Sequence, residues 1–293
     1  MQKLDRNWLQ RHPLPTLVEG GDKNARGRVL VVGGAEFVPG ALRLTGEAAL
    51  RAGAGKLQMA TVRAAAMSLG VLVPEAAMIA LPADDDGEIA AGAIELLSER
   101  LDQCDTLVLG PGMSAGNRTA DLVAALLRGA SAGQTIVLDA AAMTCAGILA
   151  PLIAAHQGRV IMTPHYGEMS QLTGLAREVI AEDPVSAAER AAQEFDVVLV
   201  LKGVRTVVAS RRESTLLFEG GSSGLATGGS GDVLAGLIGG LAARGAAPLA
   251  AAGWGVFVHG AAGTQAAREI AEIGFLARDL LPAIPGLIAE LGR

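Results

Sequence analysis

Between Arg28 and Leu201 the chain repeats one pattern: a short aliphatic run, a glycine or polar residue at its end, then a helix-length stretch. Arg28-Val-Leu-Val-Val32 runs into Gly33-Gly34, and a helix is expected over Ala41–Ala52. Lys56–Thr61 and Ala76–Leu81 read as strands, and Ile89–Leu101 as a helix. The strand Asp105–Gly110 carries Gly110-Pro-Gly112 at its end, and Asn117 can cap a helix to about Leu127. Thr135–Asp139 closes on an acid, and Arg159–Thr163 on Pro164-His165. A short helix is expected over Glu168–Leu172. Asp183-Pro184 has the cap-then-proline signature of a helix that runs to Glu194. Asp196–Leu201 is the next strand, and Thr206–Ser210 with Thr215–Phe218 form a hairpin about Arg211-Arg212-Glu213. Three helices finish the chain: Val233–Ala243, Pro248–Ile270 and Arg278–Leu291. Strands alternating with helices imply βαβ units, hence an α/β fold with a mainly parallel central sheet and helices on both faces. Ligands of such sheets bind beyond the carboxyl ends of the strands. Gly33-Gly34, Gly110–Gly112, Asp139, His165 and Lys202-Gly203 all fall there.

The 293 residues contain no charge-block linker and no low-complexity spacer, so residues 1–293 are expected to form one domain, with residues 1–24 as an N-terminal extension. A net charge of −6 without a Lys/Arg cluster argues against a nucleic-acid partner. Cys104 and Cys145 are too few for a disulfide framework or a thiolate metal site, which fits a reducing, cytoplasmic setting. Met1–Pro15 lacks the apolar centre of a signal peptide. Gly245–Ala267 carries no Asp, Glu, Lys or Arg, but it is mostly alanine and glycine and holds Pro248, His259, Thr264 and Gln265. It reads as a buried core helix, not a membrane span.

Chemistry concentrates in Gly224-Leu-Ala-Thr-Gly-Gly-Ser-Gly-Asp-Val-Leu-Ala-Gly236, which places four glycines in eight residues and then Asp232 ahead of an apolar helix. Glycines that open a helix let backbone N–H groups converge on an anion. An acid there would repel a phosphate unless it acts on the reaction, as a base toward an attacking hydroxyl. The plainer reading is that Asp232 caps the helix. Gly-x-Gly-x-x-Gly is absent after Val32, which excludes a dinucleotide fold of the dehydrogenase kind, and no P-loop signature occurs. Lys202-Gly-Val-Arg-Thr206 could contact a phosphate and a ribose or adenine, or be an ordinary turn with an exposed lysine. In His165-Tyr-Gly-Glu168, Glu168 could hold Mg²⁺ through water, or simply support the first turn of its helix. Gly110-Pro-Gly-Met-Ser114 and Gly40-Ala41 allow close backbone approach to a ligand or are plain turns.

Taken together, these residues resemble the ADP-dependent NAD(P)H-hydrate dehydratases of the ribokinase-like superfamily. The shared motifs are Gly33-Gly34 with Pro39-Gly-Ala41, Ala48–Gly55, Gly110-Pro-Gly112, Val137-Leu-Asp139, Thr163-Pro-His-Tyr-Gly-Glu-Met169, Leu201-Lys-Gly203 and Gly228-Gly-Ser-Gly-Asp-Val-Leu234, in the family's order over about residues 25–290. The resemblance implies a ribokinase-like three-layer α/β/α fold and no room for the epimerase domain often fused to this family. It places the hydrated nicotinamide nucleotide at Ala41, Gly112, His165 and Asp232. It places the adenine nucleotide at Lys202, Gly203, Val204, Arg205, Thr206 and Gly231, with Gly228, Gly229, Ser230 and Gly231 as the phosphate loop. It implies ADP, with ATP as the other donor, together with Mg²⁺, and a homo-oligomer, commonly a tetramer.

The implied reaction phosphorylates the 6-hydroxyl of NAD(P)H-hydrate so that phosphate leaves in place of hydroxide. Asp232 would be the base, kept ionised by the helix dipole. Four positions depart from the family pattern: Ala141 for a second Asp, Ser222 for Asn, Tyr166 for Pro and Ser114 for Gly. The alternatives are a ribokinase-like kinase of a small alcohol and a non-catalytic sensor of adenine nucleotides.

Overall fold

The computed structural model describes residues 1–16 and 22–292. Residues 17–21, part of the expected extension, and residue 293 lie outside the described residues. Ten strands form one sheet: β1 Gln2–Lys3, β2 Arg28–Val32, β3 Lys56–Val62, β4 Ala76–Leu81, β5 Thr106–Leu109, β6 Thr135–Leu138, β7 Val160–Met162, β8 Val198–Leu201, β9 Thr206–Ser210 and β10 Leu216–Phe218. Their spatial order is β1-β10-β9-β8-β7-β6-β5-β2-β3-β4. β9 runs antiparallel to both β8 and β10, and the remaining neighbours pair in parallel. The central strands are buried along their whole length, as the continuous Val/Leu/Ile runs require of a sheet covered on two faces.

One helical layer contains Gly40–Arg51, Ser230–Ala243 and Pro248–Glu269, packed on one another. A second contains Ala93–Leu101, Asn117–Gly129, Ala150–Ala154 and Pro184–Phe195. Within the first layer, glycines let two backbones nearly touch. A Cβ on Gly236 would stand 2.0 Å from the Thr45 carbonyl oxygen, and one on Gly240 2.4 Å from that of Ala49. This approach seats the N-terminus of Ser230–Ala243 over the carboxyl ends of the central strands.

The elements differ from expectation in a few places. The N-terminal residues are woven into the fold: β1 pairs with β10, the helix Arg6–Arg11 is capped by Asp5, and Leu4, Trp8 and Leu9 are buried. Arg63–Leu72 is a helix with no side-chain cap to announce it. Ile89 bridges Ala83 instead of opening a helix, so that helix starts at Ala93. The final helix is interrupted by a tight turn at Leu281–Ala283, where Pro282 breaks the ladder. Among the described residues no helix is long and apolar enough to cross a membrane, and Pro248–Glu269 is packed in the core.

Candidate active site

Three neighbouring strands deliver a charged cluster to the rim. Asp139, at the end of β6, is 2% exposed, and its Oδ1 accepts a 2.5 Å hydrogen bond from Thr163 Oγ1 at the end of β7. Lys202, directly after β8, donates to the same oxygen over 3.3 Å and lies 3.7 Å from Glu168 Oε2. Its backbone is pinned as well, since Lys202 N donates to Pro164 O at 2.8 Å and a parallel bridge joins Lys202 to His165. This lysine therefore points into the molecule, against the exposed-turn reading. Burial alone would push its ammonium down, but Asp139, Glu168 and Asp232 outweigh that and raise it.

His165 begins the helix Tyr166–Thr173 in a reciprocal capping arrangement. Its Nδ1 accepts from Gly167 N at 3.0 Å and Glu168 N at 3.1 Å, while Glu168 Oε2 accepts from His165 N at 2.7 Å. An accepting Nδ1 leaves the proton on Nε2, so the exposed edge of His165 is a hydrogen-bond donor.

The glycine loop stands over this cluster. Gly229 adopts φ +89°, a conformation open to glycine, and the helix starts at Ser230, three residues before the expected Val233. Asp232 thus sits in the first turn and makes no side-chain capping bond, so the cap reading fails. Lys202 Nζ is 3.2 Å from the place a Gly231 side chain would fill. Burial, with Asp139 and Glu168 acting against Lys202, pushes the Asp232 carboxyl up to about 7. Desolvation and the two neighbouring carboxylates push it opposite to the lowering expected from the helix N-terminus.

On the far side of the rim, Gly112 (φ +70°) lies where a Cβ would meet Val38 O at 2.6 Å, the Ala41 Cβ at 3.1 Å and the Gly34 Cα at 3.2 Å. Ala41, Gly112 and the Gly33-Gly34 turn are thereby brought together, as the sequence suggested. Beside His165 opens a cavity of about 550 Å³, lined among others by Met113, Ala141, Thr144, Glu168 and Arg177. The rest of the Lys202–Thr206 segment is open to solvent: Val204 is 97% exposed, Gly203 and Arg205 are exposed, and Thr206 is half-buried. Gly203 runs under the Tyr166 ring, whose hydroxyl would be 2.8 Å from a Cβ there. Ser222 caps the turn that leads into the loop, accepting from Gly224 N at 3.1 Å.

Among the described residues no group of three or more His, Cys, Asp and Glu side chains could hold a metal ion. Glu168 and Asp139 flank an ammonium, and one oxygen of each is already engaged. Such a donor set suits Mg²⁺ carried mainly by nucleotide phosphates and water, not a protein cage.

Three participants were not assigned roles from the sequence. Asp139 and Thr163 were legible as polar residues at strand ends, but the convergence of the Thr163 hydroxyl and the Lys202 ammonium on Asp139 Oδ1 depends on β6, β7 and β8 being neighbours. His259, which touches Ser230, had no local signal at all.

A mainly parallel sheet covered by helices on both faces, with a glycine-opened helix N-terminus over the strand ends, defines a ribokinase-like α/β protein. The family model described as NAD(P)H-hydrate dehydratase matches residues 29–286, and the chain belongs to that family of lyases. It is 45% identical to the ADP-dependent (S)-NAD(P)H-hydrate dehydratase of Xanthomonas campestris pv. campestris, over 97% of this chain and 95% of that one. Other curated relatives are bifunctional NAD(P)H-hydrate repair enzymes, and the chain spans about half of their length, 53% in the example from Moorella thermoacetica. Among solved structures, a ribokinase-like superfamily protein from Enterococcus faecalis superposes with a TM-score of 0.86 at 24% identity, over 99% of this chain and 96% of that one. The ADP/ATP-dependent NAD(P)H-hydrate dehydratase of Bacillus subtilis, co-crystallised with ATP/Mg²⁺, superposes with a TM-score of 0.81 at 25% identity, over 99% and 98% of the two chains.

Proposed function

We propose that this protein dehydrates (S)-NAD(P)H-hydrate with ADP as phosphoryl donor, returning NAD(P)H, AMP and phosphate. The observation that carries this reading is the half-buried Asp232 carboxyl, raised to about 7, beside the Gly228–Gly231 amides and Lys202. A base must hold a proton acceptor near neutrality, and this one has that property. The hydrate enters with its nicotinamide end toward Asp232, past Ala41, Gly112 and the Nε2–H edge of His165. Asp232 takes the proton of the 6-hydroxyl as its oxygen attacks the β-phosphorus of ADP, and the bond from that phosphorus to AMP breaks. The amides of Gly228, Gly229, Ser230 and Gly231, with the Lys202 ammonium, face the charge that develops on the transferring group. The ring nitrogen lone pair then expels phosphate from C6, and loss of a proton from the adjacent carbon restores the dihydronicotinamide.

ADP is read as the physiological donor, with ATP able to take its place, and Lys202, Gly203, Val204, Arg205, Thr206 and Gly231 as its contacts. Mg²⁺ would sit with the phosphates beside Glu168 and Asp139 and would neutralise their charge. The chain acts as one dehydratase domain in the cytoplasm, where its buried thiols stay reduced; burial pushes Cys104 up to about 12 and Cys145 up to about 11. It assembles as a homo-oligomer, a tetramer by family likeness.

The decisive experiment supplies hydrated NADH with ADP and follows recovery of the reduced-nicotinamide absorbance, with AMP and phosphate formed in equal amounts. No recovery, together with phosphorylation of a small alcohol from ATP, would make the protein a kinase. Adenine-nucleotide binding without either reaction would make it a sensor.

A further inference from the structure

The glycine loop is braced from behind by a residue of a different element. His259, on the helix Pro248–Glu269, places Nε2 3.0 Å from Ser230 Oγ and 3.1 Å from the Ser230 carbonyl oxygen. A carbonyl can only accept, so Nε2 carries the proton and its single N–H is shared by both oxygens. The opposite tautomer would set a nitrogen lone pair against the carbonyl and is excluded on that ground. Ser230 Oγ therefore accepts from His259, and its own hydrogen is turned away from the imidazole, free to donate within the loop. Ser230 is buried, so that donor is not spent on bulk water.

The histidine is held firmly enough to do this. Its helix packs without room for side chains at its glycines: a Cβ on Gly255 would meet Ile238 at 2.5 Å, one on Gly260 the Phe218 ring at 2.4 Å, and one on Gly263 Leu225 at 2.5 Å. Ile238 belongs to the helix that carries Asp232, and Leu225 to the segment that leads into the loop. Burial pushes the imidazole down to about 4, which keeps it neutral and the N–H arrangement intact across the working pH range.

We propose that His259 is a positioning residue for phosphoryl transfer: it orients the Ser230 hydroxyl as a donor to the transferring group and fixes the first residue of the Asp232 helix. This rests on the dehydratase reading, and it predicts an effect on chemistry larger than on substrate binding. It also predicts that His259 acts through Ser230 and not independently of it.

The test compares His259→Ala, His259→Asn, Ser230→Ala and the His259→Ala/Ser230→Ala double variant in steady-state turnover of hydrated NADH with ADP, with thermal unfolding measured on each. Supporting groups behind a ligating side chain are worth about 10- to 100-fold. His259→Ala and Ser230→Ala should each lower kcat on that scale, with KM for the hydrate changed by less than about threefold. His259→Asn, which keeps a side-chain donor, should recover most of the loss. The double variant should be no slower than the worse single one. Multiplicative losses, an Asn variant as slow as the Ala variant, or an unchanged kcat in a folded His259→Ala or Ser230→Ala protein would each overturn the proposal. Should His259→Ala not fold, the Ser230→Ala and His259→Asn comparison decides alone. If the unsubstituted protein turns over no hydrate, the dehydratase reading fails, and calorimetric ADP binding judges the brace: several-fold weaker binding in the Ala variants, restored in Asn, supports it, and equal binding in all four overturns it.

Discussion

At the scale of single residues the site is a balance of charge. Asp139, Glu168 and Asp232 surround one ammonium, and the excess of acid together with burial is what raises Asp232 to about 7. Its carboxyl binds a proton more tightly folded than unfolded, so its contribution to stability is complete below about pH 4 and is lost as pH rises through about 7. Asp232→Asn should therefore raise Tm at pH 8, by on the order of 2–4 kcal/mol of stability, and leave it nearly unchanged at pH 4. The same substitution should lower turnover by about 10²-fold or more, the scale of a lost general base. Calorimetry at the two pH values and a rate measurement check both halves. Lys202→Met removes the positive charge that lowers the Asp232 pKa, so the acidic limb of kcat/KM should move from near 7 to higher pH and ADP binding should weaken. A pH–rate profile of the variant with an unmoved limb would show that the lysine does not tune the base. Asp232 was visible in the sequence from its glycine setting, but its proton affinity was not, since the opposing carboxylates come from other strands.

At the scale of elements, close backbone approach decides which glycines matter. Gly236 lies mid-helix with the Thr45 carbonyl oxygen 2.0 Å from where a Cβ would stand, whereas Gly286, in the helix Ile284–Leu291, meets nothing within 4 Å. Helix propensity alone favours alanine at both by about 1 kcal/mol. Gly286→Ala should gain up to that amount, while Gly236→Ala should lose about 1–3 kcal/mol through overpacking and tilt the loop that holds Asp232. Denaturant titration of the pair separates the two effects. Most elements were legible from period and punctuation, and the strands from Arg28 to Phe218 lie within a residue or two of their expected places. The helix Arg63–Leu72 was not, for it lacks a cap and exposes Met67 and Val71, which blurs its apolar face. Ile89 was read as helical, whereas a tight turn through Asp84–Gly87 folds it back onto Ala83.

At the scale of the whole molecule, the first residues belong to the core. Trp8 is fully buried, stacks on His12 with ring centroids 4.2 Å apart, and fills the space beside Gly253, while Trp254 Nε1 donates to His12 O at 2.7 Å. Trp8→Ala should cost about 3–5 kcal/mol, read as a fall in Tm with hydrate KM unchanged. The opposite edge of the sheet is bare. Among the described residues β4 has no partner beyond β3, and the helix beside it exposes Met67 (80%) and Val71 (74%). An apolar edge of this kind is a natural contact between copies. Met67→Glu with Val71→Glu should lower the mass seen by light scattering if subunits meet here, and an unchanged mass would place the contact elsewhere.

The sequence by itself determined the α/β alternation and the parallel sheet, and it marked the strand-end rim and Asp232 as the candidate site, because each is written in local period, glycine placement or strand-end chemistry. Only the tertiary structure decided that Lys202 turns inward, that Asp139 accepts from both the Lys202 ammonium and the Thr163 hydroxyl, that His259 backs Ser230 and that Trp8 is core. Those facts depend on which strands and helices become neighbours, and neighbours distant in sequence leave no local trace.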